Sequence, residues 1–307
     1  MSKLTSRVSV PAMRAPFRTR RDRWLGLALV APALLIFLVF TYYPFFQNFR
    51  LALYSAPPFP SLPSTYVGPS HFFSIFGTTD FWDSVRSTFL FILFTVPLGV
   101  LGGLVMAVLA HQKLKGIRVY RTIFSSTVVS SAAVAALVFQ MLFNPLTGYL
   151  PTIGIHPPDI TASPTWALPM VSLVSAWQFV GLAFIIITAG LQSIPDDLLE
   201  ASRVDGASAV TRFRKVIIPL LSPTLFFTLV VGVIFGLQSF GQIDVMIGTQ
   251  NSAFTHTNVL VYAIYKYIHV QADPGMAASY SIALFVITLG VTLVQFRMLE
   301  KRVHYGN

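Results

Sequence analysis

The sequence contains no cysteine. Disulfide frameworks, thiolate-ligated zinc and thiol chemistry are thereby excluded. Charge is scarce as well: 10% of the 307 residues are Asp, Glu, Lys or Arg, against roughly 25% in soluble domains. No Gly-x-x-x-x-Gly-Lys-Ser/Thr phosphate loop occurs, so the chain cannot cradle a nucleotide in that way. Gly-x-Ser-x-Gly and His-Glu-x-x-His are missing too. The six histidines (His71, His111, His156, His256, His269, His304) are scattered over loops and ends without metal-ligand spacing. These absences argue against an enzyme, intramembrane proteases included. They leave no metal or cofactor to expect on this chain.

What is abundant is apolar: 54% of the residues are hydrophobic and the mean hydropathy is +0.70. Six runs reach about the 20 residues that a bilayer core requires. They are Leu25–Phe46, Val85–Ala110, Ile123–Phe143, Leu168–Leu191, Leu220–Val245 and Ala277–Phe296. The expectation is an all-α integral membrane protein with six transmembrane helices. The net charge of +10 is carried beside the spans. With the N-terminus inside, 18 of the 21 lysines and arginines fall on the cytoplasmic side, as the positive-inside rule demands. Only Arg50, Arg86 and Lys266 lie outside. Both termini are therefore expected in the cytoplasm. Short basic stretches next to spans meet anionic lipid headgroups; nucleic acid is not an expected partner.

Residues 1–23 form a basic arm, 24–297 a single membrane domain and 298–307 a cytoplasmic tail. The arm resembles the n-region of a signal peptide, but the apolar run after it exceeds the 7–15 residues of a cleaved signal. An uncleaved first span is the better reading. The outer segments, about 47–84, 144–166 and 248–275, are rich in proline and aromatics and too short to bury cores of their own. Pro32, Pro97, Pro169 and Pro223, with Gly99, Gly102, Gly103, Gly232 and Gly236, fall inside spans, where close helix packing and hinges are both served. The run Ser125–Ala136 makes one face of the third span narrow and mildly polar. Polar side chains inside spans are costly and default to functional candidates. Here they are Gln140 and Asn144, Trp177 and Gln178, and Gln238, Gln242 and Asp244. Interhelical hydrogen bonding is the competing role for each.

One polar, charged stretch interrupts the second half: Ser193-Ile194-Pro195-Asp196-Asp197-Leu198-Leu199-Glu200-Ala201-Ser202-Arg203-Val204-Asp205-Gly206. Ser193 is suited to an N-cap, Pro195 to a first turn, and the aspartates to the positive helix end. The helix should stop at Gly206. Ser208 should cap a second short helix presenting Val210, Phe213, Val216 and Ile217 before Pro219 opens the next span. The pattern is two short cytoplasmic helices, about 193–217, joined by a glycine elbow.

Those residues resemble a family. Glu200 and Ala201, with Gly206 and then Pro219, match the Glu-Ala-Ala, Gly, Ile-x-Leu-Pro signature of permease subunits in binding-protein-dependent ABC importers. Ser202, Val216 and Ile218 depart from it mildly. Leu191–Pro195 and Pro219–Pro223 extend the match in the form of the carbohydrate branch. Phe240–Asp244, Leu260–Tyr265 and Val294–Arg297 through Arg302–Tyr305 are similar to permeases of glycerol-3-phosphate importers. The Thr-x-Gly-Gly-Pro turn frequent in the sugar branch is absent; Gly248–Ser252 stands there.

The resemblance implies the type I importer permease fold and alternating access for a sugar, glycerol-3-phosphate or glycerophosphodiester-type solute. It implies a second homologous permease subunit, two copies of an ABC ATPase carrying ATP-Mg, and an extracytoplasmic solute-binding protein. A homodimer stays open. ATPase coupling would fall to Glu200, Ala201, Asp205, Gly206, Phe213 and Pro219. The rival from another class is a stand-alone secondary transporter or channel. Such a protein would more often show repeated halves or an intramembrane acid–base pair, and neither is seen.

Overall fold

The computed structural model describes residues 20–55, 63–111, 116–159, 163–248 and 257–299. The basic arm before residue 20, the Thr249–Ser252 part of the substituted turn and the tail from residue 300 lie outside the described residues. The chain divides into two compact units, Met1–Asn48 and Phe49–Asn307.

Helix α1 (Arg20–Phe37) contains Pro32 and is followed by a π turn (Leu38–Tyr42) and α2 (Tyr43–Ala52). Together, Trp24–Ala52 make one apolar helix of 29 residues. That is longer than the Leu25–Phe46 run, because the tail Gln47–Ala52 continues the helix with polar residues that hydropathy ends on.

After a two-residue hairpin, β1 (Tyr54–Ser55) against β2 (Thr65–Tyr66), the short α3 (Ser70–Gly77) leads into α4 (Thr79–His111). Next come α5 (Ile117–Ser125), a 3-10 turn (Ser126–Val129), α6 (Ala132–Phe143) and the one-turn α7 (Tyr149–Thr152). The long α8 (Ala167–Gln192) precedes two short helices, α9 (Asp196–Val204) and α10 (Ala209–Arg212). A second π turn (Phe213–Ile217) joins α10 to α11 (Ile218–Leu237). The chain closes with α12 (Gly241–Met246), α13 (Leu260–His269) and α14 (Pro274–Leu299).

Among the described residues, five helices are long and apolar enough to cross a bilayer, and a sixth crossing exists if the bent pair Ile117–Val129 and Ala132–Phe143 counts as one. That pair revises the third span expected at Ile123–Phe143, which starts earlier, at Ile117, and whose halves meet at 104°. The cause is local. Thr122, Ser125, Ser126, Thr127 and Ser130 all turn their hydroxyls back onto carbonyls three or four residues earlier. Such back-bonding competes with the helical ladder. Ser131 then takes an extended conformation and caps α6 by accepting from the Val134 N–H at 3.2 Å. The fifth span is revised too. It ends at Leu237, and Gln238–Phe240 break the chain before α12, so Val245 is not part of it. The second span begins earlier than Val85, at Thr79.

The core of the second unit is the pairing of α4 with α8, and small residues make it possible. Gly99, Gly103, Ala107 and Ala110 form a buried stripe down α4. A Cβ on Gly103 would stand 2.5 Å from the Ala183 Cβ and 2.9 Å from the Phe184 backbone nitrogen. One on Gly99 would stand 2.5 Å from the Phe179 ring. In lipid, where burial of apolar surface does not drive helices together, such close approach supplies the dispersion contacts that do. Pro97 withholds an N–H from the Leu93 carbonyl within the same helix. Phe179, Ala183, Ile187 and Leu191 of α8 then pack with Leu221 of α11 in one apolar cluster. A second cluster joins Ala135 and Ala136 of α6 to Val171 and Val174 of α8 and Ile243 and Met246 of α12.

Candidate functional site

The segment between α8 and α11 folds into two helices and an elbow. Asp196 and Asp197 lie in the first turn of α9, where they complement the positive end. Ser193 is not its N-cap. Pro195 occupies that position without a side-chain bond, and the Ser193 hydroxyl donates instead to the Gly190 carbonyl at 2.8 Å. The exit is a full Schellman arrangement: the Gly206 N–H donates to Arg203 O at 3.0 Å, and Ala207 N–H to Ser202 O at 3.1 Å. It requires a left-handed residue, and Gly206 supplies it with φ of +74°. Ser208 caps α10 by accepting from the Thr211 N–H at 3.2 Å.

Pro219 lies in the first turn of α11 and lacks the N–H that would close on Lys215. The chain widens there into the π turn Phe213–Ile217, with the Ile218 N–H reaching Phe213 O. A single widened turn where proline breaks the ladder satisfies the backbone at little cost. Ser202, one of the departures from the signature, is 8% exposed and its hydroxyl donates to Leu199 O at 2.7 Å. Its extra oxygen is thus absorbed locally.

A groove of about 610 Å³ opens between this segment and the end of α4. Glu200, Arg203, Val210, Arg212 and Phe213 line it with His111. Glu200, Ala201, Asp205 and Gly206 are exposed, while Phe213 and Pro219 are half-buried. Beside the elbow, Val204 is 88% and Val210 67% exposed. Both valines thus stand beside the charged side chains that line the groove.

The polar span candidates do not gather in one place. Gln178 and Gln242 meet: Gln242 Nε2 donates to Gln178 Oε1 at 2.6 Å, and Gln178 Nε2 donates to the Ser130 carbonyl at 2.7 Å. Asp244, on α12, accepts from the Tyr262 hydroxyl at 3.2 Å. Asn144 instead caps a turn, accepting from Leu146 and Thr147 N–H groups at 2.9 Å each. Gln140 lines a surface hollow with it, away from the glutamine pair. Gln238 is exposed at the end of α11. Trp177 packs edge-on to Phe139 at 5.3 Å between centroids. Thr88 lies outside the residues that the sequence singles out, yet its buried hydroxyl accepts from the Leu260 N–H at 3.0 Å across 172 residues. No local pattern signals such a pairing.

Among the described residues, no cluster of His, Asp and Glu could hold a metal ion. Of the three cations expected outside, Arg50 lies over the Tyr54 ring at 5.7 Å. Lys266 is 3.9 Å from Asp80, and Arg86 is exposed on α4.

The family described as binding-protein-dependent transport system inner membrane component matches residues 80–305. The sn-glycerol-3-phosphate transport system permease protein UgpA of Rhizobium meliloti (strain 1021) is 34% identical over 290 residues, covering 93% of this chain and 98% of its own. UgpA of Shigella flexneri is 33% identical over 290 residues, covering 93% and 97%. Among solved structures, a bacterial ABC transporter involved in the import of the acidic polysaccharide alginate superposes with a TM-score of 0.77. It is 23% identical and covers 92% of this chain and 96% of that one, a likeness of fold.

Proposed function

This chain belongs to the inner membrane components of binding-protein-dependent transport systems, and from that premise we propose that it is the translocating half of an ATP-driven importer for a glycerol-3-phosphate-type solute. It is a multi-pass membrane protein of the ABC importer permease type and a non-enzymatic subunit. A sugar or a glycerophosphodiester is the neighbouring solute class; similarity to UgpA proteins, 34% and 33% identity over 93% of this chain, favours the phosphate.

The observation that carries the coupling mechanism is the Gly206 elbow with its groove. Two short helices locked at a left-handed joint, with bare Val204 and Val210, form a rigid knuckle that a soluble ATPase can grip. Glu200 offers a charge to a basic partner residue, and Phe213 an apolar anchor. Ala201 and Asp205 shape the first helix, and Pro219 ties the knuckle to α11. Closure of the ATPase pair would then tilt α11 and α8 and switch the path between inward- and outward-facing states.

In this reading the N-terminus and the knuckle face the cytoplasm of a bacterial cell, and a binding protein delivers solute to the opposite mouth. Gln178, Gln242 and Asp244, with Trp177, Gln140, Gln238 and Asn144, are the path candidates on this chain. None brings a cation, so the phosphate of the solute would meet a second, homologous permease. ATP-Mg belongs to the ATPase.

The test is reconstitution of the complex in liposomes with its binding protein. Hydrolysis stimulated by sn-glycerol 3-phosphate, and accumulation of the labelled compound, are expected. Stimulation by a neutral disaccharide alone would move the solute to the sugar branch, and solute movement without any ATPase would refute the reading.

A further inference from the structure

Two backbone breaks meet at one point of this fold. The first lies between the 3-10 turn and α6, at Ser130–Ser131, where the axis turns by 104°. The second lies between α11 and α12, at Gln238–Phe240. The helices that begin after these breaks abut: a Cβ on Gly241 would stand 3.2 Å from the Ala132 Cβ. Both then pack on α8 through a shared apolar cluster.

A relay of two amides crosses the meeting point. The bend frees the Ser130 carbonyl from the helical ladder, and Gln178 of α8 donates to it. Gln242, in the first turn of α12, donates to Gln178 in its place. The orientation of both amides follows from the backbone, since a carbonyl only accepts. Gln178 must turn its NH2 towards Ser130 and its oxygen towards Gln242. That leaves Gln242 Oε1 over, and it is buried without a partner in a residue 2% exposed.

The relay is thus strong on one side and unsatisfied on the other. Buried acceptors left unpaired are destabilising, so a second arrangement that hydrates Gln242 Oε1 competes with this one.

We propose that the Gln178–Gln242 amide pair, anchored on the Ser130 carbonyl, is a latch that couples the two helix breaks and holds α6 and α12 against α8 in the resting transporter. The latch rests on the importer reading above. Opening the path pulls Ser130 and Gln242 away from Gln178 together. These are positioning residues: they set how readily the resting state is left, and through it how tightly hydrolysis waits for solute.

The test uses the complete importer in liposomes, with Gln178→Leu, Gln242→Leu and the double variant. ATP hydrolysis is measured without solute or binding protein, then with sn-glycerol 3-phosphate and its binding protein. Gln242→Leu, which removes one hydrogen bond, is expected to raise unstimulated hydrolysis about tenfold, and Gln178→Leu, which removes both, at least as much. The double variant should rise no further than Gln178→Leu alone. Trp177 packs on Phe139 of α6, so its accessibility to a collisional quencher should rise in parallel.

Unstimulated hydrolysis at the wild-type rate in variants that still respond to solute would overturn the latch, as would strictly additive effects. If the leucine variants fail to assemble, Gln242→Asn, which retracts the NH2 by one methylene, must show the same rise; wild-type behaviour there overturns it equally. A wild-type complex indifferent to solute and binding protein would overturn the importer reading itself, and the latch with it.

Discussion

Replacing Gly206 with valine strikes the elbow without touching its surroundings. Nothing lies within 4 Å of the position a Cβ would take, so the penalty is wholly in the backbone. The residue sits at φ of +74°, where an L side chain costs roughly 1–2 kcal/mol and a β-branched one falls at the upper end. A cost of about 2 kcal/mol depopulates the elbow about thirtyfold. The Schellman pair from Gly206 and Ala207 is lost with it, and α9 is free to run on past its stop. The apolar contacts of α4, α8 and α11 do not involve Gly206, so membrane insertion should stay near normal. The assay is transport and hydrolysis in reconstituted vesicles, normalised to inserted protein. Gly206→Val should hydrolyse ATP while taking up little solute. Gly206→Asn, which tolerates the left-handed region, should retain most uptake, with Gly206→Ala between them. Normal uptake by the valine variant, or equal damage from all three, would refute the argument.

Other outcomes follow from the same geometry. Ser208→Ala removes the cap on Thr211 N–H and should cost about 1 kcal/mol of local helix stability, read as faster hydrogen exchange over residues 208–212. Gly103→Leu places atoms into the Ala183 and Phe184 backbone and should abolish stable expression, whereas Gly290→Ala, inside α14 with nothing within 4 Å, should not lower the thermal midpoint. Lys266→Gln should shift that midpoint little, because the Asp80 partner is 64% exposed and such pairs contribute roughly 0–1 kcal/mol. Asn144→Ala should destabilise the turn at Leu146–Thr147, read as faster hydrogen exchange of those two amides.

The knuckle was legible in the sequence because its signals are local. Gly206 and Ser208 are each the residue type that its backbone position requires, and both do what their chemistry suggests. Ser193 misled for a local reason: Pro195 occupies the cap position, leaving the serine to bond backwards to Gly190. Breaks were harder to see. An apolar window of about 20 residues averages across Ser130–Ser131 and across Gln238–Phe240, and neither break carries a proline. The serine-rich run from Ser125 reads in sequence as a polar face, while its hydroxyls bond back to the backbone in the stretch that leads into the bend. Pairings such as Gln178 with Gln242, separated by 64 residues, leave no trace in one sequence. Nor does Asn144 announce that its oxygen is already taken by two N–H groups of its own turn.

The central claim is that this chain is driven through its knuckle by a separate ATPase. The most direct measurement is to tag the chain, extract it from its native membrane in mild detergent, and identify what accompanies it. The account predicts an ABC ATPase and a second permease in stable association, both lost from the Glu200→Ala/Gly206→Val variant while that chain remains folded. A well-folded wild-type chain recovered alone, or a complex indifferent to those two substitutions, would contradict it.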